Sequence, residues 1–205
     1  MFTRKAETAA VAVRIGLNTV WESHVPFEQV PAPVRRYLRM LDGDCKRLLG
    51  TVNDILDLEK LGQDKLPMEA VAQPLLPIIE QAVSLNQAYA GSLDVQLNMA
   101  AAAPDLQAVV DEKRIVQVMN NLLSNAAKHA PAGSTVQVRL EETDGQARVS
   151  VTDAGPGIPA DFQASIFEKF KQLNSKDNRG NTGTGLGLCI AKGIVEASGG
   201  RIGVE

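Results

Sequence analysis

The sequence has few cysteines, no strong excess of charge and no long apolar run, and each absence excludes a class of protein. Its two cysteines, Cys45 and Cys189, stand far apart, which excludes a disulfide framework and favours a reducing compartment, with both as small core residues. A formal net charge of −3 over 205 residues argues against a general nucleic-acid-binding protein, which needs a basic face. No apolar run approaches the length of a membrane span, and Glu7 and Arg14 interrupt the N-terminal stretch that imitates a signal peptide. We therefore expect a soluble chain with no direct membrane insertion.

What the sequence does contain is enough apolar material, 44% of residues, for one large globular domain or two small ones. Residues 1–62 are predicted to form two helices, because Pro26, Pro31 and Pro33 forbid a continuous one. The second helix, about 34–61, carries an apolar seam in steps of four and three, made of Val34, Leu38, Leu41, Cys45, Leu48, Val52 and Ile55. Tyr37, Leu49 and Leu56 widen this seam beyond one partner helix, so we predict a dimeric four-helix bundle. The alternative is a hairpin folded against the C-terminal domain of its own chain.

Residues 63–205 follow a different pattern, in which helices and alternating strands come in separate runs. The pattern predicts helices over 75–89, 112–129 and about 186–198, and strands over 93–99 and 106–110. The segments "STVQVRLEE" and "QARVSVTD" are predicted to form a hairpin through Asp144-Gly145, and "RIGVE" to start a further strand. The expected fold class is α+β: a helical hairpin over 1–62, then an α/β sandwich over 63–205. Its sheet is expected to be mixed, mostly antiparallel, and covered by helices on one face.

The helix predicted over 112–129 keeps a narrow polar stripe on an otherwise apolar surface. The stripe consists of Arg114, Gln117, Asn121, Asn125 and Lys128. Amide oxygens are neutral ligands for Mg²⁺, and a lysine supplies charge to phosphate. The pattern therefore favours a nucleotide cleft; an ordinary exposed helix edge is the alternative.

Two glycine-rich segments strengthen this interpretation. In "DAGPGIP" a strand ends at Asp153, whose carboxylate can accept a hydrogen bond from an exocyclic amine, and Gly155 and Gly157 let a flat ligand approach the backbone. In "GTGLGL" a loop containing Gly183, Gly185 and Gly187 runs into a helix N-terminus, which favours phosphate. No Lys-Ser/Thr pair follows these glycines, so the loop is not a P-loop. Between the two segments, 158–185 is predicted to close over the cleft; a surface loop is the alternative.

Together and in this order, these elements resemble the ATP-binding domain of sensor histidine kinases, in the superfamily of the gyrase, Hsp90 and MutL ATPases. "NNLLSNAAKH" resembles the family's N box, "DAGPGIP" and "GTGLGL" its glycine boxes, and "FEKFKQ" its F box. The resemblance implies that Asn125 binds Mg²⁺ with Asn121 beside it, that Lys128 and His129 contact phosphate and ribose or base, and that Asp153 recognises adenine. It also implies that further ATP contacts come from Gly155, Gly157, Ile158, Phe170, Lys171, Gly183, Thr184, Gly185, Leu186, Gly187 and Leu188.

The resemblance covers residues 63–205, and "LLGTVNDILDLEKL" extends it to the second helix of the family's dimerisation and phosphotransfer hairpin. It implies the catalytic core of a two-component sensor histidine kinase that binds ATP and Mg²⁺. Such a core transfers the γ-phosphate to a histidine and then to the receiver domain of a response regulator. The implied partners are a second copy of the chain and that regulator, with no nucleic acid. The implied location is cytoplasmic, alone or as part of a longer membrane-bound sensor.

One residue separates this chain from the gyrase-type ATPases, and two features depart from the histidine kinase pattern. Gyrase-type ATPases carry a glutamate where this chain has Asn121, which cannot act as a general base, so ATP is expected to be held for transfer rather than hydrolysis. A phosphoacceptor histidine is expected near residues 5–9, yet the chain reads "RKAETAAVAV" there; His24 lies in the proline-rich turn and His129 in the nucleotide helix. The family continues with further strands after "RIGVE", so the C-terminal strands are expected to be missing. The alternatives are a catalytically degenerate, kinase-like nucleotide-binding dimer that regulates, and a serine kinase or ATPase of the same superfamily.

Overall fold

A computed structural model describes residues 31–63, 66–103, 105–172 and 184–205. The predicted first helix, His24 and Gly183 lie outside these described residues. The described residues divide into two compact units, which separate between Gly62 and Gln63.

The first unit contains helix α1 (Ala32–Leu61). Pro31 precedes the helix and Pro33 lies in its first turn, where the missing N–H costs no intrahelical hydrogen bond. The helix ends at Gly62, whose N–H donates to the Leu58 carbonyl at 3.0 Å. Large apolar side chains along it are exposed, including Tyr37, Leu41, Leu48 and Ile55. Helix α1 therefore presents apolar side chains to water, which is unfavourable unless another surface covers them.

The second unit is an α+β domain, as the sequence predicts. Its elements, in chain order, are β1 (Val71–Pro74), α2 (Leu75–Ser92), β2 (Gln96–Ala102), β3 (Gln107–Val110), α3 (Glu112–His129), β4 (Thr135–Thr143), β5 (Gln146–Thr152), α4 (Ala160–Gln163) and α5 (Gly187–Ala197). Strands β2, β4 and β5 form one sheet in that order, and β1 and β3 form a separate antiparallel pair. Within the larger sheet β2 and β4 are parallel and β4 and β5 are antiparallel.

One face of the larger sheet packs against helices. Along β4, Val136, Val138 and Leu140 are buried while the residues between them are exposed, as the alternation of a half-covered strand requires. Val136 and Val138 join a core cluster with side chains of α2 and α3, such as Ile79 and Leu123. Each such aliphatic side chain contributes about 1.5–3 kcal/mol when fully buried. This core fixes α3, and with it the polar stripe, above the sheet.

Two local predictions need correction. The segment "RIGVE" (201–205) is not a strand; its backbone joins no ladder among the described residues, and the Glu205 side chain instead pairs with Arg148 of β5. The strand predicted over 93–99 begins only at Gln96, because Leu93 caps α2 and Asp94 turns the chain with φ 58°. Strand β1 was not predicted, because it is four residues long, ends in proline and is exposed at three positions.

Candidate functional site

The N-terminus of α3 is firmly fixed at Asp111. One carboxylate oxygen accepts the N–H of Arg114 at 3.3 Å and the other accepts the N–H of Glu69 at 2.8 Å. Burial raises the pKa of Asp111, but these hydrogen bonds, with one from the Lys113 N–H, outweigh it and leave the pKa below its usual value. Asp111 is therefore an ionised N-cap that sets where the helix, and so its polar stripe, begins.

The polar stripe of α3 has two parts. In the first two turns, Arg114 donates from Nη1 to Oε1 of Gln117 at 2.9 Å. In the last three turns, Asn121, Asn125 and Lys128 are half-buried, as a cleft wall requires. A ligand can therefore contact the polar stripe along the C-terminal half of α3.

The N-terminus of α5 packs directly against this half of α3. The Asn121 amide donates from Nδ2 to the Gly187 carbonyl at 3.0 Å. A Cβ on Gly187 would lie 3.2 Å from Oδ1 of Asn121, so glycine lets the two helices approach. Behind this contact Ile190, Ala191 and Ile194 are buried. The structure therefore joins the segments "NNLLSNAAKH" and "GTGLGL".

The other glycine segment packs against the C-terminal end of α3. A Cβ on Gly155 would lie 2.8 Å from the His129 carbonyl oxygen and 2.6 Å from Oδ1 of Asp153. The same Oδ1 accepts the Gly155 N–H at 2.8 Å, which holds the exposed carboxylate at the end of β5. Gly157 has φ 73°, a conformation that glycine adopts without strain. Only a glycine fits at position 155 without movement of the backbone.

The remaining predicted contacts lie on either side of the segment 173–183, which is outside the described residues. The Phe170 N–H donates to the Gly185 carbonyl at 2.9 Å, so residues 170 and 185 meet although 15 positions separate them. Both have left-handed backbone, with φ 63° at Phe170 and 71° at Gly185. Thr184 Oγ1 accepts the Leu186 N–H at 3.3 Å, and Lys171 pairs with Glu168 at 3.4 Å. Ile158 and Leu188 are half-buried.

Two basic residues, Lys128 and His129, end α3, and both have lowered pKa values. Burial lowers the pKa of the Lys128 ammonium, and no carboxylate among the described residues lies within ion-pair distance of it. Desolvation lowers the pKa of His129 and the charge of Lys128 lowers it further, while Asp153 opposes both effects. The site therefore offers a partly dehydrated ammonium beside an imidazole that stays neutral at pH 7.

Sequence reasoning missed one polar contact near the site. Asn86 of α2 is buried and donates from Nδ2 to the Ala82 carbonyl at 2.9 Å and to Oδ1 of Asn120 at 2.7 Å. Asn86 falls on the buried face of α2 at a helical spacing from Ala82 and Ala90. An amide on an otherwise apolar face was the signal for this contact, because a buried amide needs a partner.

Comparisons with known proteins identify the family of this chain. Residues 110–205 match the family described as histidine kinase-, DNA gyrase B- and HSP90-like ATPase. The chain is 35% identical over 173 residues to the circadian input-output histidine kinase CikA of Synechococcus elongatus, covering 83% of this chain and 23% of that protein. The structure of ShkA in complex with AMPPNP matches with a TM-score of 0.73 at 28% identity, over 98% of this chain and 43% of that one. The mycobacterial sensor histidine kinase MprB matches with a TM-score of 0.55 at 30% identity, over 63% of this chain and 80% of that one.

The helix followed by an α+β domain, with two glycine segments packed on one polar helix, defines the class of histidine-kinase-like ATPase domains. More narrowly, the chain belongs to the histidine kinase family: it is a catalytic core with a preceding helical region, homologous to sensor histidine kinases. It spans about a fifth of the length of curated relatives such as CikA (23%) and BarA of Escherichia coli (19%). Among the described helices, none combines the length and the apolar character that crossing a membrane requires.

Proposed function

We propose that this chain binds ATP with Mg²⁺ in a cleft formed by α3, the segment after β5 and the N-terminus of α5. One observation carries the proposal: the same half of α3 contacts both glycine segments, through Asn121 on Gly187 and the His129 carbonyl on Gly155. These segments are far apart in the chain, and three ligand-binding sequence patterns now border one surface. An ordinary exposed helix edge would not require this convergence.

Each end of the cleft suits one part of the nucleotide. At the β5 end, Asp153 holds a carboxylate beside glycines, where it can accept a hydrogen bond from the adenine amino group. At the other end, α5 begins at Gly187 with no side-chain cap, so its first N–H groups are available to phosphate. Lys128 adds a positive charge whose burial is unfavourable until an anion arrives. The adenine therefore lies toward Asp153 and the phosphates toward α5.

The residues present fit a magnesium ion that arrives with the nucleotide. Across the described parts of the chain there is no group of three or more His, Cys, Asp or Glu side chains that could hold a metal. Asn125, half-buried on the cleft side of α3, offers one neutral amide oxygen. Magnesium commonly takes one or two protein ligands and completes its shell with phosphate oxygens and water. When bound, it would neutralise charge that develops on the phosphates.

The proposed reaction is transfer of the γ-phosphate to a histidine and then to the receiver domain of a response regulator. The resemblance to sensor histidine kinases supports it, and so does Asn121, because an amide cannot activate water for hydrolysis. The sequence has two histidines, His24 and His129, and the backbone of His129 is already part of the cleft wall. His24 is followed by Val25 and Pro26 and not by the acidic residue that usually follows the family's acceptor, so the proposed acceptor is a histidine of another chain. A kinase-like regulator that binds nucleotide without transferring phosphate remains the second candidate, favoured by the absence of histidine from residues 5–9.

Dimerisation through the N-terminal helices is part of the same proposal. The side chains of Tyr37, Leu41, Leu48 and Ile55 are each at least half exposed on α1. A helix with this much apolar surface is stabilised by a second copy of itself, since identical seams are self-complementary. The predicted four-helix bundle would cover it.

The nucleotide proposal is tested by calorimetry with ATP and GTP in the presence of Mg²⁺. Wild type should prefer ATP, and Asp153→Asn should weaken ATP binding by about 10- to 100-fold, because a hydrogen bond to a charged group contributes about 1.5–3 kcal/mol. Asp161→Asn, the same charge change on an exposed residue of α4, is the matched control and should bind like wild type. Equal affinity of the wild type for ATP and GTP would refute the adenine role of Asp153.

The transfer proposal is tested with γ-labelled ATP. The chain alone should bind ATP yet acquire no acid-labile label, because its first helix offers no imidazole near the expected acceptor position. Adding a histidine-containing hairpin from a relative should produce acid-labile label on that hairpin. Absence of label on every such hairpin, with ATP still bound, would favour the regulator over the kinase.

A further inference from the structure

We propose that Asn121 is a positioning residue that ties the N-terminus of α5 to α3, rather than a neighbour of the metal as its place in the N box suggests. The inference rests on the proposed nucleotide site and assigns one of its residues a different task. Both polar atoms of the side chain face α5: Nδ2 lies 3.0 Å from the Gly187 carbonyl oxygen, and Oδ1 would lie 3.2 Å from a Gly187 Cβ. Asn121 is thus the asparagine of the stripe whose amide contacts α5.

The orientation of the amide follows from chemistry. The Gly187 carbonyl can only accept a hydrogen bond, so the group that faces it must be the nitrogen of Asn121. A carboxylate of the same shape would place an acceptor against an acceptor. Position 121 therefore requires a donor as long as Gly187 stays where it is. This gives a structural reason, separate from hydrolysis, for an amide where related ATPases carry glutamate.

The tie matters because, within the described residues, the buried contacts of α5 are apolar, and its Lys192 Nζ lies 6.0 Å from the centre of the half-buried Phe167 ring. Ile190, Ala191 and Ile194 bury one side of the helix, and apolar contacts are non-directional. They fix how closely α5 approaches its neighbours but resist sliding along the helix axis less well. A hydrogen bond at the first residue of α5 fixes that axial position, and the first N–H groups are the ones proposed to meet phosphate. Asn125, one turn further along α3, donates to no residue of α5 within the described ranges.

The first test uses hydrogen exchange in the full chain without nucleotide or metal. Asn121→Asp should speed exchange of the amides of α5 by about fivefold or more, the factor that corresponds to a lost hydrogen bond of about 1 kcal/mol. Asn120→Asp is the matched control, because it adds the same charge at the neighbouring position. The new carboxylate keeps an oxygen in place of Oδ1 of Asn120, which can still accept the hydrogen bond from Asn86. Unchanged α5 exchange in Asn121→Asp would overturn the tie, whether or not the chain binds ATP.

The second test separates positioning from metal binding. Nucleotide affinity is measured for wild type and the uncharged variant Asn121→Ala, which adds no charge that would repel phosphate, with Mg²⁺ and again with EDTA. A positioning residue should cost about fivefold in both conditions, whereas a metal neighbour should cost nothing in EDTA. An effect confined to Mg²⁺ would overturn the inference. Failure of wild type to bind nucleotide at all would instead refute the proposed function and leave the exchange result standing.

The third test asks whether the contact is direct. Gly187→Ala brings its Cβ to 3.2–3.3 Å from the Asn121 amide, so this side chain must move to make room for the methyl group. In an Asn121→Ala background the new Cβ has room, so the double variant should lose less than the sum of the single variants. Strict additivity in urea unfolding would show that the two residues do not touch and would overturn the proposal.

Discussion

Gly185→Ala should be among the most destabilising single-methyl substitutions in the second unit. Gly185 has φ 71°, which an alanine adopts only with strain, at a cost of about 1–2 kcal/mol. Its new Cβ would also lie 2.9 Å from the carbonyl carbon of Phe170 and 3.1 Å from the Lys171 carbonyl oxygen. Both are backbone atoms, so no side chain can rotate away. Overpacking of this kind costs about 1–3 kcal/mol, and the two effects together predict a loss of about 2–5 kcal/mol.

Three other glycines of the same unit separate the two causes. Gly133, with φ 78° and nothing within 4 Å of an added Cβ, has the strained backbone alone, so Gly133→Ala should cost about 1–2 kcal/mol. Gly155 has the close backbone contact without a positive φ, so Gly155→Ala should cost about 1–3 kcal/mol. Gly91, near the end of α2, has neither, and its alanine variant should be neutral or up to about 1 kcal/mol more stable.

The assay is urea unfolding of the full chain followed by circular dichroism, with stability compared at constant m-value. From most to least stable, we expect Gly91→Ala, then Gly133→Ala, then Gly185→Ala. Gly155→Ala should be less stable than Gly91→Ala and more stable than Gly185→Ala. If Gly185→Ala were no worse than Gly133→Ala, the approach of Phe170 to Gly185 would carry no energetic weight. The hydrogen bond from the Phe170 N–H to the Gly185 carbonyl would then not depend on a glycine at position 185.

Three further predictions concern the helices. Leu48→Glu should make the full chain monomeric in sedimentation, because a dimer seam at Leu48 would bury an unpaired carboxylate at a cost of several kcal/mol; a wild type that is already monomeric would contradict the dimer. In a His24→Gln chain, which leaves one histidine, His129 should titrate by NMR below 6.5, and Lys128→Met should raise its pKa by removing a repelling charge. Because the pKa of His129 is lower in the folded than in the unfolded chain, the free energy of unfolding should decrease as pH falls below about 6.5. If the pKa of His129 were the same in Lys128→Met as in the Lys128 chain, burial would be the sole cause of the lowered pKa. Asp111→Ala should cost about 1–2 kcal/mol, since an N-cap and a second backbone bond are lost. The lowered pKa of Asp111 means that its stabilisation is present above 3.8 and lost as pH falls through the folded value, so the alanine variant should lose less stability on acidification than wild type.

The sequence by itself determined the elements whose signals are local. The helix α3 and its polar stripe follow from a periodicity of 3.6 residues, which depends only on neighbours within two turns. The β4–β5 hairpin follows from Asp144 and Gly145, whose φ values of 52° and 72° are those of the turn that this pair favours. The ligand-binding roles of Asn125, Lys128 and Asp153 stay predictions from the family resemblance, although the structure places the three residues on the elements that border one surface.

Only the tertiary structure decided the contacts between distant segments. Strand β1 forms because it pairs with β3, which is distant in the chain: Ala72 pairs with Val109, 37 positions away. Nothing in "VAQP" indicates this pairing. The family resemblance implies that Asn121 lies beside a metal, and that role stays a prediction. Helical periodicity says which face of α3 Asn121 occupies but not what packs against that face. The Gly187 carbonyl reaches Asn121 only after α5 has docked through its own apolar face. A hydrogen bond between residues 66 positions apart depends on that docking, and no local pattern encodes it.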